Sequence, residues 1–313
     1  MPPIVCWFVQ SHRDPQQILR LLRTIRRGSD GPIFLRHDSD ALALGIAVEE
    51  ELETISGLHQ LAPSGPQRRG TFSGQLQPFF DLLSYLEAED VSFDWLINLT
   101  AQDYPVTPVD RIEEFLAAST ADGFVRWWDV LGDDSPWSRR KARARYWYRY
   151  IRLPARSVPI LRLARILTRF APLHFYLDYG ALVGIRRIHV PFAGEFRCCG
   201  GRSWWTLRRS AVRRLTAFLR ANPRIEKHYR STVAPEESLI QTVLANARDL
   251  AIVNDDYRYV DYSGAVRGSP RTLTALDLPN LASGKYHFAR KFDFASSREL
   301  LDRIDDELLR SGK

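Results

Sequence analysis

The chain has 313 residues, 45% of them apolar and 26% charged, and a formal net charge of +7. That is enough apolar material for one large α/β domain or two small ones, and it excludes general disorder. No apolar run reaches the roughly 18 residues a membrane span needs, the opening Met1-Pro2-Pro3 carries no basic signal-peptide region, and the three cysteines, Cys6, Cys198 and Cys199, read as reduced thiols of a cytoplasmic protein.

Ile4–Val9 is a short β-branched and aromatic run, a buried strand. Asp14-Pro15-Gln16-Gln17 opens a helix, with Asp14 as N-cap and Pro15 at N1. Ile18, Leu21, Leu22 and Ile25 follow at helical spacing, and Gly28 closes the helix. Ile33–Leu35 is a second strand, running into His37-Asp38-Ser39-Asp40. Strand, helix and strand in succession imply a parallel sheet. A helix is predicted over Gln75–Glu87, a buried strand over Trp95–Leu99, a helix over Asp110–Ala118 and a strand over Phe124–Trp127. Ala142–Phe170 then interrupts the alternation as an aromatic, arginine-rich insertion. Beyond it come a strand at Ser203–Leu207, helices at Arg209–Leu219 and Pro235–Ala247, a strand at Tyr257–Tyr262 and a terminal amphipathic helix at Ser297–Leu309. There is no internal repeat, no P-loop and no Gly-x-Gly-x-x-Gly, and the scattered histidines suggest no zinc site.

In open α/β sheets ligands gather at the carboxyl ends of the strands. Ser11-His12, His37-Asp38 and Gln102-Asp103 fall there, although loops are polar in any case. Glu236 and Glu237 lie in the first turn of a predicted helix. They complement the helix dipole, or Glu237 is an ionised carboxylate facing a cleft and able to act as a general base. Phe288-Ala289-Arg290-Lys291-Phe292-Asp293 sets two cations between aromatics. They form a solvated surface pair, or they stabilise the charge that develops on a departing pyrophosphate.

Taken in order, seven segments resemble one family. Ser11-His12 with Pro15 and the helix after it, Leu35-Arg36-His37-Asp38, Ile97-Asn98-Leu99-Thr100-Ala101-Gln102-Asp103-Tyr104-Pro105, Gly201-Arg202-Ser203-Trp204-Trp205, Pro235-Glu236-Glu237-Ser238 and Arg258-Tyr259-Val260-Asp261-Tyr262, together with Phe288–Asp293, are similar to motifs of the core-2/I-branching β-1,6-N-acetylglucosaminyltransferases and peptide O-xylosyltransferases. The resemblance implies an α/β, GT-A-like fold with a mostly parallel sheet flanked by helices, one domain over residues 1–313 with an insertion at about 138–177. It implies inverting transfer of GlcNAc or xylose from a UDP-sugar to a glycan, lipid-linked or protein acceptor, without metal or cofactor. Glu237 would be the base. Ser11, His12, Asp38, Arg290 and Lys291 would meet the donor, and Gln102, Asp103, Trp204, Tyr259, Asp261 and Tyr262 the acceptor. There are departures: Ser203 stands where some members are acidic, Tyr262 replaces a tryptophan, and a further family arginine corresponds to Arg267 or Arg271. The acid-x-acid triplet Asp38-Ser39-Asp40 falls too early for a metal site, and the lack of a cysteine framework and anchor suits a bacterial cytosolic form.

From Arg139 to Leu177 there are eleven Arg and Lys and no acid, so the remainder of the chain is net acidic. Residues 139–169 could be a helix pair with arginines lying over core residues, a surface for anionic membrane, or a phosphate contact for nucleic acid. No nucleic-acid module accompanies them, so a nucleic-acid partner is not expected. The membrane reading places the protein at the inner face of the membrane. The competing overall reading is a non-catalytic module binding glycan or membrane surface.

Overall fold

The structure is a computed structural model that describes residues 2–38, 40–65, 68, 70–164, 172–265 and 269–310. Strand β1 (Val5–Ser11) leads into helix α1 (Pro15–Gly28), whose N-cap Asp14 accepts a hydrogen bond from the Gln17 N–H. Then come β2 (Ile33–His37), α2 (Ile46–Glu53), β3 (Leu58–Gln60), α3 (Phe72–Gln75), α4 (Gln77–Ala88), β4 (Trp95–Thr100), β5 (Asp103–Pro105), α5 (Val109–Ala118) and β6 (Gly123–Asp129). The predicted helix Gln75–Glu87 is two helices, because Pro78 opens α4 afresh in its first turn.

The insertion holds α6 (Arg139–Tyr146), β7 (Tyr148–Arg152), α7 (Val158–Ala164), β8 (Leu173–Tyr176) and β9 (Leu182–Arg186). Its strands form an antiparallel sheet in the order β7-β9-β8, so the helix-pair reading is corrected and the unit runs on to Arg186. The cause is the period of two in Tyr148-Arg149-Tyr150-Ile151-Arg152: Tyr150 points inward and is buried, while Arg149 and Ile151 face out. Residues 165–169 of the predicted membrane surface lie outside the described residues.

The chain continues through β10 (Cys199–Arg208), α8 (Arg209–Ala221), α9 (Pro223–Tyr229), α10 (Leu239–Ala245), β11 (Ile252–Val253), β12 (Arg258–Val260), α11 (Leu278–Leu281), β13 (Phe288–Arg290) and α12 (Arg298–Arg303), which runs on into wider turns to Leu309. The main sheet has the order β11-β6-β10-β4-β1-β2-β3, with β10 alone antiparallel to its neighbours. This mostly parallel sheet, flanked by helices, is the α/β architecture anticipated from the sequence. Alternation along β1 builds both faces. Val5, Trp7 and Val9 join Ile18, Leu22 and Leu300 on one side, and Cys6 and Phe8 join Phe79, Leu82 and Leu215 on the other. All three cysteines are buried free thiols. A small second sheet, β12-β13-β5, lies beside the carboxyl end of β4. Among the described residues no helix is long and apolar enough to cross a membrane.

Candidate active site

The carboxyl ends of β1, β2 and β4 form one edge. Register pairs Ser11 with His37 and Gln10 with Thr100. Ser11 Oγ lies 2.8 Å from His37 Nδ1, and the Asp38 N–H donates to the Ser11 carbonyl at 2.8 Å. The predicted donor residues Ser11, His12 and Asp38 therefore share this edge, with His12 exposed.

Beside it is a buried cluster of opposite charges. Asp103 is fully buried, accepts from the Thr100 N–H at 2.6 Å and pairs with Arg290 at 3.2 Å and Arg258 at 3.7 Å. Its expected place on the acceptor side is corrected: sealed from solvent, it holds two guanidinium groups instead. Arg258 also donates to the Asn98 carbonyl at 2.6 Å, and burial pushes its guanidinium down to about 10 against the opposing pull of Asp103 and Asp256. Arg202 pairs with Asp256 at 3.2 Å. Three cations thus face two carboxylates, leaving net positive charge. Arg290 is itself largely covered, its guanidinium 4.1 Å from the centre of the Trp204 ring. That is within cation–π range. Lys291 Nζ lies 3.5 Å from Ser269 Oγ, and the Gln102 carbonyl accepts from the Phe292 N–H at 2.9 Å, tying the Gln102 turn to the Lys291 segment.

Of the other predicted acceptor residues, Asp261 is engaged by Arg271 at 2.6 Å, and Arg271 also pairs with Asp277. Arg267, the other candidate for the additional arginine, lies outside the described residues. Tyr259 is half-buried with Asn280 Nδ2 3.4 Å from its hydroxyl, whereas Tyr262 is 45% exposed.

Glu237 does not sit in the first turn of the long helix expected from the sequence. Pro235–Glu237 is a separate 3₁₀ turn, because Ser238 leaves the helical region before α10 begins. Ala234, ahead of the turn, has φ 49°, a strained value for a non-glycine residue. It is held by its N–H to the Gly70 carbonyl at 3.1 Å and by the Tyr146 hydroxyl on its own carbonyl at 3.1 Å. Behind the turn, Ser238 Oγ bonds the Cys199 carbonyl and the Tyr229 hydroxyl, each at 2.8 Å. This scaffold directs the half-buried Glu237 side chain to Arg145, with which it forms an ion pair. Burial opposes the charge on Arg145, and Glu237, Tyr146 and Tyr176 more than offset it, so its pKa is raised. Lys141, Tyr179 and Tyr262 share the field of Glu237, and Tyr262 that of Arg202 and Arg290 as well.

A cavity of about 80 Å³ joins the two halves. Gln10, Asn98 and Thr100 come from the carboxyl edge, Trp204 backs onto Arg290, and Glu236 adjoins Glu237. This volume takes a hydroxyl-bearing group and its waters, not a whole nucleotide, since one water's share of liquid volume is about 30 Å³.

The sequence model of the core-2/I-branching enzyme family matches residues 74–282, more than half of the chain. The chain belongs to that family. The match takes in Gln102, Asp103, Trp204, Glu237, Tyr259, Asp261 and Tyr262, and leaves Ser11, His12, Asp38, Arg290 and Lys291 outside it. The chain is similar to two proteins of Arabidopsis thaliana, β-glucuronosyltransferase GlcAT14A (25% identity over 72% of this chain and 44% of the relative) and β-glucuronosyltransferase GlcAT14B (28% over 71% and 45%). It therefore spans less than half the length of these curated relatives. Among solved structures, 4-diphosphocytidyl-2C-methyl-D-erythritol synthase from Anaerococcus prevotii aligns at TM-score 0.33 and 8% identity over 71% of this chain and 78% of that one, a likeness too slight to bear on function.

Arg145, which also lies over the Trp137 ring, and Arg202, Arg258 and Asp256 escape sequence reasoning. Arg145 is 92 residues from Glu237 and is one of eleven similar cations in its segment. A buried arginine needs an acid partner, and a segment with none of its own has to find one elsewhere in the chain. That was the available signal.

Proposed function

We propose that this member of the core-2/I-branching family is an inverting, metal-independent glycosyltransferase using a UDP-sugar. The observation that carries the reading is the convergence on one cavity of Trp204, backed by Arg290, with the turn that bears Glu236 and Glu237. In this reading the Glu237 carboxylate takes the proton of an acceptor hydroxyl. The hydroxyl oxygen bonds to the anomeric carbon as the bond to UDP breaks on the opposite face, and a single displacement inverts that carbon. The leaving diphosphate departs with the bonding electrons toward Lys291 and the net positive cluster of Arg202, Arg258 and Arg290. Because Asp103 already balances part of that charge, Arg290 acts as a preset electrostatic wall behind Trp204 rather than as a loose phosphate clamp.

The resemblance in the sequence supports GlcNAc or xylose as the transferred sugar, and the relatives' names add glucuronate as a third candidate. A UDP-release screen with UDP-GlcNAc, UDP-xylose and UDP-glucuronate, with and without EDTA, tests the proposal. Release that persists in EDTA is expected from one of them. No release from any donor overturns the enzyme reading in favour of a non-catalytic glycan- or membrane-binding module.

We also propose peripheral attachment to the inner face of the membrane. It is supported by the exposed Ile151, Ile160, Leu163 and Ile185 set among the insertion's arginines. Flotation with neutral and anionic vesicles checks this, and no salt-sensitive preference for anionic vesicles rejects it.

A further inference from the structure

Helix α6 divides its cations between two faces. Lys141 and Arg145, four residues apart, turn toward Trp137 and Glu237. Arg140, Arg143, Ala144 and Trp147 recur at the other helical spacing and line a separate cavity of about 470 Å³, whose other walls are Tyr148, Leu173, His174 and Arg186. That is within the size range of ligand sites. Pairing of Tyr148 with Arg186 across β7 and β9 fixes the far wall, and the Tyr150 hydroxyl, 2.9 Å from His174 Nδ1, fixes the imidazole.

Three arginines line this cavity and no acid does. Their neighbours on the same helix are compensated, Arg139 by Asp133 and Arg145 by Glu237, whereas among the described residues Arg140, Arg143 and Arg186 pair with no carboxylate. Forked donors with no acid partner, grouped around a concave site beside an indole, a phenol and an imidazole, match a phosphate group carried on an organic body that can lie against the rings.

We propose that this cavity is a binding site for a phosphate-bearing ligand. It lies on the opposite face of α6 from Glu237, about one helix diameter of 10 Å away. If the transferase reading holds, on which this last step rests, the site would seat the phosphate or diphosphate of the acceptor while its hydroxyl meets Glu237.

The test is calorimetric titration of inorganic pyrophosphate into full-length protein saturated with UDP, so that the donor side is filled, for wild type, Arg140→Gln/Arg143→Gln and Arg186→Gln. All three side chains are exposed, so the variants fold. The proposal expects salt-sensitive pyrophosphate binding to the wild type, weakened at least tenfold in the double variant and less in Arg186→Gln, with UDP affinity unchanged. A parallel arm uses phosphatidylcholine vesicles with and without phosphatidic acid. Binding of free pyrophosphate identifies a soluble phosphate group, and binding confined to phosphatidic acid vesicles and lost in the double variant identifies a lipid headgroup. No binding in either arm, or equal binding by the double variant, overturns the site. Failure of the transferase reading alone would appear instead as absent UDP release with pyrophosphate binding intact.

Discussion

Two groups of arginines in this protein have opposite surroundings. Arg202, Arg258 and Arg290 are packed with Asp103 and Asp256 at the carboxyl edge of the main sheet, and Arg290 lies under an indole. Arg140, Arg143 and Arg186 line an open cavity in the insertion with no carboxylate beside them. Buried charge is tolerated only when partnered, so the first group brings its counter-ions with it and is fixed before any ligand arrives. The second keeps its hydration and its capacity for an incoming anion. Between them stands Glu237, on a strained turn, joined to the insertion through Arg145 and sharing a field with Arg290 at Tyr262.

The largest expected effect is on rate. Glu237→Gln keeps the fold and loses on the order of 10²–10⁴ in turnover, as for removal of a general base. Glu236→Gln, its neighbour facing the cavity, loses less. A reversed ranking in steady-state UDP release would move the base to Glu236 and detach the insertion from the chemistry. Asp103→Asn comes next: leaving Arg258 and Arg290 without their shared counter-ion costs about 3–5 kcal/mol of stability, read from urea unfolding. A near-neutral Asp103→Asn would mean that the buried cluster is not preset by its carboxylates.

Two buried histidines, His228 near Arg187 and His287 near Arg258, give a smaller, pH-dependent effect. Burial, and then Arg187, pushes His228 down to about 3, while burial, and then Arg258, pushes His287 down to about 4. Unfolded histidine titrates near 6.5. Below that pH the unfolded chain binds protons that the folded one refuses, so stability is fully present above pH 6.5 and is lost as pH falls toward the folded values. The slope is about 1.4 kcal/mol per pH unit for each histidine. Urea unfolding between pH 7 and 5 should show this decline, and a flat profile would contradict it. The smallest effect is at Asp133, whose pair with Arg139 lies in solvent. Asp133→Asn should leave stability unchanged within error, which marks the difference between surface and buried pairing.

The legible parts of the fold were those decided locally. The run of β1, the Asp14 cap with Pro15 and the heptad-like spacing of α1 are each set within a few residues, and each lies close to where it was expected. The insertion was misread because its strands are stabilised by partners far along the chain, Tyr148 against Arg186, so only the period of two in Tyr148–Arg152 could have disclosed them. The break at Ser238 was hidden for a similar reason: its side chain bonds the Cys199 carbonyl on β10, and that tertiary contact outweighs local helix preference. Motif order located the turn of Glu237 and the segment of Arg290. It could not reveal that Asp103 is sealed or that Arg145 is the partner of Glu237, since both facts depend on burial and on contacts across many residues.

The proposal turns on a nucleotide sugar whose diphosphate is held by fixed protein cations while Glu237 deprotonates the acceptor hydroxyl. Calorimetric titration of UDP into the protein in excess EDTA tests it most directly. Binding of one equivalent without metal is expected, retained in Glu237→Gln and weakened in Lys291→Ala. Absence of binding, or binding that appears only when a divalent cation is added, would contradict it.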